Sequence, residues 1–293
     1  MKTSDLLPMA AAVTSVLALQ VGAAFSKTMF PLVGPEGLAA LRTGIAAILL
    51  CAALQPWRIE LPYARWRVVL IYGAMIGAMN LLIYRAILYL PIGVALSIEV
   101  IGPLGVAVLS SRRKADFLWI AFALAGLALL PLGRVAGGLD PKGLVFALLA
   151  ALCWAIYILV GSKVADLGGR GVAIGMLIAT FITAPLGLAH SGSALFEPQI
   201  LALGLSVALL SSALPFLLDI YALRHLRRSV FGVLMSASPA ISALAGMLIL
   251  GEHLSALQWA GILSITIACL GSTVARAHQG TAPLANANHA VNA

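Results

Sequence analysis

Residues 92–110 read IGVALSIEVIGPLGVAVLS, an apolar run of membrane-spanning length that carries one carboxylate, Glu99, and one helix breaker, Pro103. Proline has no N–H to donate four residues back, so the carbonyl of residue 99 itself loses its helical partner. A carboxylate and a free carbonyl then share one turn. Such a turn accepts an ammonium group or, with the carboxyl protonating and releasing, couples solute movement to a proton gradient. The competing reading is a structural ion pair between Glu99 and Arg42 or Arg85.

The same punctuation recurs 136 residues further on, where Pro239 interrupts the run SVFGVLMSASPAISALAGMLIL at 229–250. That offset also pairs Ser26-Lys27 with Ser162-Lys163, Ala86 with Ala222 and Leu90 with Leu226, so the chain reads as two copies of one unit. In the second copy the freed carbonyl belongs to Met235. Ser236 and Ser238 bring hydroxyls where the first copy has Val100 and Gly102, and no carboxylate is present. Each serine either faces a ligand or bonds back to its own helix.

Composition names the solvent: 62% hydrophobic residues, 10% charged and a mean hydropathy of +1.06 exclude a water-soluble domain. Ten apolar runs, at 6–25, 37–54, 68–84, 92–110, 117–133, 143–161, 171–189, 200–218, 229–250 and 256–275, are each long enough for a helix to cross a bilayer core. Five fall on each side of a break near residue 138. An odd number per copy forces the copies to face opposite ways, the inverted-repeat plan of secondary transporters, whose sites form where paired broken helices meet. The expected fold is an all-α membrane protein of ten transmembrane helices in two inverted five-helix repeats, 1–137 and 138–278. Residues 279–293, rich in Ala, Asn and His, read as a disordered cytoplasmic tail in which His289 is solvated. A cleaved signal peptide is the rival reading of the first run, from Lys2 to Gly22-Ala23-Ala24, but its removal would delete the partner of the sixth span.

The net charge of +8 belongs to membrane topology. With the N-terminus cytoplasmic, thirteen of the 18 Lys and Arg fall on the inner side and four, Lys27, Arg85, Arg134 and Lys142, on the outer. This bias puts both termini in the cytoplasm, and no basic cluster is large enough for nucleic acid. Cys51, Cys153 and Cys269 sit in apolar runs without metal or disulfide spacing, so no metal and no cofactor are expected. All five histidines lie in loops or the tail, and no nucleophile motif or phosphate loop lies within a span, which argues against an enzyme.

Gly73, Gly77, Asn80 and Tyr84 form one helical stripe whose glycines admit a neighbouring backbone, with Asn80 bonding across to that neighbour or touching substrate. Ser212, Pro215 and Asp219 form a similar stripe, with Asp219 either paired to Arg224 at the membrane edge or a transport group. Gln20 is a further polar group within a span. Trp154 and Tyr157 share a face and either pack or close over a ligand. Arg42, inside the second run, either caps a polar pocket or snorkels outward.

With these residues in place the chain resembles the drug/metabolite transporter superfamily, and within it the bacterial inner-membrane exporters of small amino acids of the threonine and homoserine type. The likeness is carried by Ser26-Lys27, Phe30-Pro31-Leu32-Val33-Gly34, Ala40-Leu41-Arg42, Gln55-Pro56-Trp57-Arg58, Gly77 with Met79-Asn80, and Glu99 with Gly102-Pro103-Leu104. Ser110-Ser111-Arg112-Arg113, the stretch from Cys153 to Leu159, Ala213-Leu214-Pro215 and Gly251-Glu252 extend it through nearly the whole chain. The resemblance implies alternating access around a cavity lined by the first, third, fourth, sixth, eighth and ninth spans, and export in exchange for protons. It turns Gln20, Asn80, Glu99, Trp154, Tyr157, Ser236 and Ser238 toward that cavity, with Pro103 and Pro239 marking the broken helices. The family often has Glu-Pro where this chain has Ser238-Pro239, so Glu99 would carry proton coupling alone. The expected partners are a small amino acid, protons and the lipid bilayer, and a homodimer is compatible with the sequence. Efflux of aromatic or cationic drugs and metabolites, with Trp154, Tyr157 and Tyr84 as cavity walls, is the alternative function.

Overall fold

The computed structural model describes residues 6–59, 62–109, 116–132, 139–164, 167–226 and 228–277. Among these the chain is helical throughout, with no strand. The helices are α1 (Leu6–Thr28), α2 (Phe30–Leu54), α3 (Tyr63–Tyr89), α4 (Ile92–Glu99), α5 (Ile101–Leu109), α6 (Asp116–Leu129), α7 (Pro141–Gly161), α8 (Gly168–Ser191), α9 (Pro198–Ala208), α10 (Leu214–His225), α11 (Arg228–Met235), α12 (Ser238–Leu250) and α13 (Ala256–Ala277). A π turn, Leu209–Ala213, joins α9 to α10. Seven segments are long and apolar enough to cross a membrane: Leu6–Thr28, Phe30–Leu54, Arg65–Tyr89, Pro141–Gly161, Gly168–Phe196, Val230–Leu250 and Ala256–Val274. The boundary at 137/138 and the tail from 279 lie outside the described residues.

Both proline-marked runs are broken, and at corresponding places. α4 stops at Glu99 and α11 at Met235, 136 residues apart. The following N–H groups, of Val100 and Ser236, bond the carbonyls of Leu96 and Gly232 at 3.2 and 3.0 Å. Leu90 and Leu226, at the same offset, leave α3 and α10 in extended conformation, with their N–H groups on Ala86 and Ala222 at 2.9 and 2.7 Å. α2 begins earlier than the apolar run suggests because Pro31 starts a first turn at Phe30; Gly34, at φ 65° and ψ 172°, then breaks the helix before Pro35 restarts it.

Small residues set the helix packing, as they must where lipid is as apolar as the side chains. α2 lies along α8, with the Thr43 and Thr183 hydroxyls 2.6 Å apart. α3 lies between α7 and α8, and Gly73 and Gly77 bring it against Gly175, Ile178 and Ala179 of α8. Gly93 of α4 rests on Ala243 of α12. Where α6 meets α13, a Cβ at Gly126 would fall 2.6 Å from the Gly261 carbonyl oxygen, and one at Gly261 would fall 2.8 Å from that of Gly126. Gly126→Val is therefore expected to force the two helices apart and to cost roughly 1–3 kcal/mol of stability. A lowered thermal midpoint of the purified protein in detergent is the readout, and an unchanged midpoint would show that α6 and α13 do not depend on this contact.

One end of the bundle is tied by charge. Lys27 Nζ donates to Glu252 Oε1 at 2.7 Å and to the Leu90 carbonyl at 3.0 Å, while Glu252 Oε2 accepts from the Ile92 N–H at 2.8 Å. This joins the ends of α1 and α12 to the α3–α4 junction and places a carboxylate on the N-terminus of α4, where the helix dipole favours it. At the same end Arg85 Nε donates to Glu36 Oε1 at 2.7 Å, and the guanidinium lies over the Phe146 ring at 5.7 Å.

Candidate functional site

The broken end of α4 opens onto a chamber of about 150 Å³ between α1, α2, α3, α7 and α12. Gln20, Arg42, Asn80, Tyr84, Glu99, Trp154 and Ser238 line it, among aliphatic side chains such as Leu19, Ile83 and Leu96. A second chamber of about 290 Å³ adjoins it, reaching past Leu49, Leu50, Tyr157, Val172 and Met176 toward the end of the bundle opposite Lys27. Arg42, Met79, Asn80 and Trp154 line both.

Glu99 is placed by the chain break itself. It is the last residue of α4, 7% exposed. It forms no ion pair with the two arginines proposed from sequence, because Arg85 is taken by Glu36 and Arg42 bonds only neutral oxygens. The C-terminal end of a helix carries partial negative charge on its free carbonyls, which adds to a carboxylate instead of balancing it. A cation in the chamber is the natural counterpart.

Arg42 gives the chamber its positive pole. Its Nη2 donates to the Ser211 carbonyl at 2.9 Å, its Nη1 to the Tyr84 hydroxyl at 3.2 Å and its Nε to Ser212 Oγ at 3.3 Å. It caps the pocket instead of snorkelling, and so brings α2 into a cavity the sequence assigned to other spans. The π turn presents both serines to it, a wide turn being a common device at functional sites. Ser211 Oγ is buried and has no hydrogen-bond partner among the described residues.

Gln20, Asn80, Glu99, Trp154 and Ser238 all border the smaller chamber, and Tyr157 the larger. Gln20 Nε2 bonds Ser238 Oγ and also donates to the Ser238 carbonyl at 3.2 Å, tying α1 to the start of α12. Tyr157 stacks on Tyr72 with ring centres 4.9 Å apart, and the Tyr72 hydroxyl donates to that of Tyr157 at 3.3 Å. Ser236 lines neither described chamber: it lies on the α13 side of the break, with Oγ donating to the Gly232 carbonyl at 2.8 Å and 3.4 Å from Thr273 Oγ1. Asn80 does not bond across to α8, because its amide turns back to the Ile76 carbonyl at 2.9 Å. Asp219 also lies outside both described chambers; the side chain of Arg224, its suggested partner, is outside the described residues.

Comparison with known proteins agrees with this architecture. The model of the EamA-like transporter family matches residues 141–274. The chain is 43% identical over 270 residues to the threonine/homoserine exporter RhtA of Salmonella typhimurium, with 92% of each chain covered, and equally to that of Escherichia coli K12. The uncharacterized inner membrane transporter YedA of Escherichia coli K12 is 25% identical over 269 residues, covering 85% of this chain and 86% of the other. A solved crystal structure superposes with a TM-score of 0.60 at 21% identity, covering 94% of this chain and 98% of that one, a likeness of fold alone.

Proposed function

Because the chain belongs to the EamA-like family of drug/metabolite transporters, we propose that it exports small zwitterionic amino acids of the threonine and homoserine type across the bacterial inner membrane. It is a transporter and not an enzyme. The single observation that carries the amino-acid reading is Glu99, a carboxylate that makes no ion pair among the described residues, at the end of a broken helix in a chamber of about 150 Å³. The substrate enters from the cytoplasm, its ammonium meets Glu99, and rocking of two inverted halves opens the chamber outward, with Glu99 returning a proton inward. Ten spans support this reading when α4 with α5, α9 with α10, and α11 with α12 each count as one.

The helix neighbours support two inverted halves as well. Exchanging each span for the one five further on turns the α3–α7 packing into that of α10 on α1, and leaves the α2–α8, α6–α13 and α4–α12 pairs unchanged. On this topology the Lys27 end is the outer one and both termini are cytoplasmic. The structure is then a state closed outside, with the larger chamber extending inward.

Counterflow in proteoliposomes with a panel of radiolabelled amino acids at two pH gradients tests substrate and coupling together. Accumulation of threonine or homoserine, faster with the gradient that drives protons in against export, is the expected outcome. Transport of aromatic or cationic compounds without competition from threonine would instead favour drug efflux, for which Trp154, Tyr157 and Tyr84 would be the walls.

A further inference from the structure

We infer that Arg42 and the π turn form a carboxylate subsite, so that the solute carried is selected for a free α-carboxylate as well as an ammonium group. The inference rests on the export reading for its substrate and deepens it by naming the second pole of the site. Arg42 lies well inside an apolar helix, where a cation is expensive and is ordinarily paired or functional. Among the described residues it has no carboxylate in direct contact: its fork is filled by one hydroxyl of α3, one hydroxyl of the π turn and one backbone carbonyl. Neutral oxygens at 2.9–3.3 Å hold a guanidinium in place, and its charge acts on Glu99 across the chamber with no direct bond between them among the described residues.

Three further observations direct that charge at a ligand. Arg42 borders both chambers, and Glu99 borders the smaller one, so a cation and an anion that feel each other's charge without a direct bond among the described residues share one small space. A zwitterion is the ligand whose two poles satisfy both. Ser211, whose carbonyl holds Arg42, and Ser212 both line the larger chamber, so the polar turn around the guanidinium borders the space a ligand would fill. The positions 136 residues from Arg42 and Glu99 are Ile178 and Met235, so neither charge is demanded by the packing that the two halves share.

The planar guanidinium suits a carboxylate in a way a lysine ammonium does not. Wild-type protein is therefore expected to bind L-threonine by calorimetry and to bind L-threoninamide, which keeps the ammonium and lacks the carboxylate, at least about 30-fold more weakly, the loss typical of a buried charge left without its partner. Arg42→Gln should lose that discrimination, weakening threonine to the level of the amide while leaving the amide unchanged, and Arg42→Lys should recover it only in part. A merely structural arginine would weaken both ligands alike. If Arg42→Gln does not fold, the wild-type pair of ligands still decides: equal affinity for threonine and its amide overturns the subsite. Discriminating binding without any threonine counterflow would overturn the export reading and leave the subsite standing.

Discussion

Export from proteoliposomes loaded with threonine is expected to fall by roughly 30- to 3,000-fold when Glu99 is replaced by glutamine, since removing one member of a desolvated charge pair costs about 2–5 kcal/mol. The substitution is nearly isosteric and removes no ion pair among the described residues, because neither Arg42 nor Arg85 bonds this carboxylate. Insertion, elution volume and thermal midpoint should therefore stay at wild-type values. The residual flux should also lose its dependence on the pH gradient, because an amide has no proton to carry. Wild-type efflux rates from this variant would remove Glu99 from the mechanism, and lost transport with retained pH dependence would separate substrate binding from coupling.

The second large effect is expected at the opposite end of the same helix. Glu252→Gln should loosen the tie between α1, α12 and the start of α4, which rests on contacts of 2.7 and 2.8 Å through its two carboxylate oxygens. A fully buried pair would lose about 3–5 kcal/mol on losing one partner. The Lys27 and Glu252 side chains retain 23% and 14% exposure, so solvent screening reduces this to about 1–2 kcal/mol, or roughly 5- to 30-fold in the balance between closed and open forms. A cysteine at Ala23, which borders the smaller chamber, in a background lacking Cys51, Cys153 and Cys269, should then react faster by that factor with a thiol reagent that cannot cross the membrane. Lys27→Met should act the same way, and the double variant should add little to either single one. Unaltered labelling in all three would show that this cluster does not hold the end shut.

What the sequence made legible follows from backbone chemistry. Pro103 and Pro239 announce chain breaks because a missing N–H acts locally whatever surrounds it, and the helices do stop at Glu99 and Met235. Gly73 and Gly77 announce close approach, and α8 is there. Side-chain direction was less legible. Asn80 has the choice between a neighbour and its own helix, and the carbonyl of Ile76 is always within reach whereas a neighbour must be positioned. Ser236 and Ser238 are two residues apart across an irregular turn, so the periodicity that would assign them a common face does not apply; one reaches Gln20 and the other Thr273. The stripe read through Ser212, Pro215 and Asp219 assumed an unbroken α-helix, and the π turn shifts its phase between Ser212 and Asp219. Arg42 was visible as a lone cation in an apolar run, yet its partners lie 42, 169 and 170 positions away and no local signal reports them.

Arg42 has one more consequence, which concerns the empty carrier. Two of its three bonds reach from α2 to the turn before α10, so the guanidinium straps these two segments together. On the carboxylate subsite proposed above, an arriving carboxylate would compete for the same N–H groups, so that loading and the loosening of this strap would be one event.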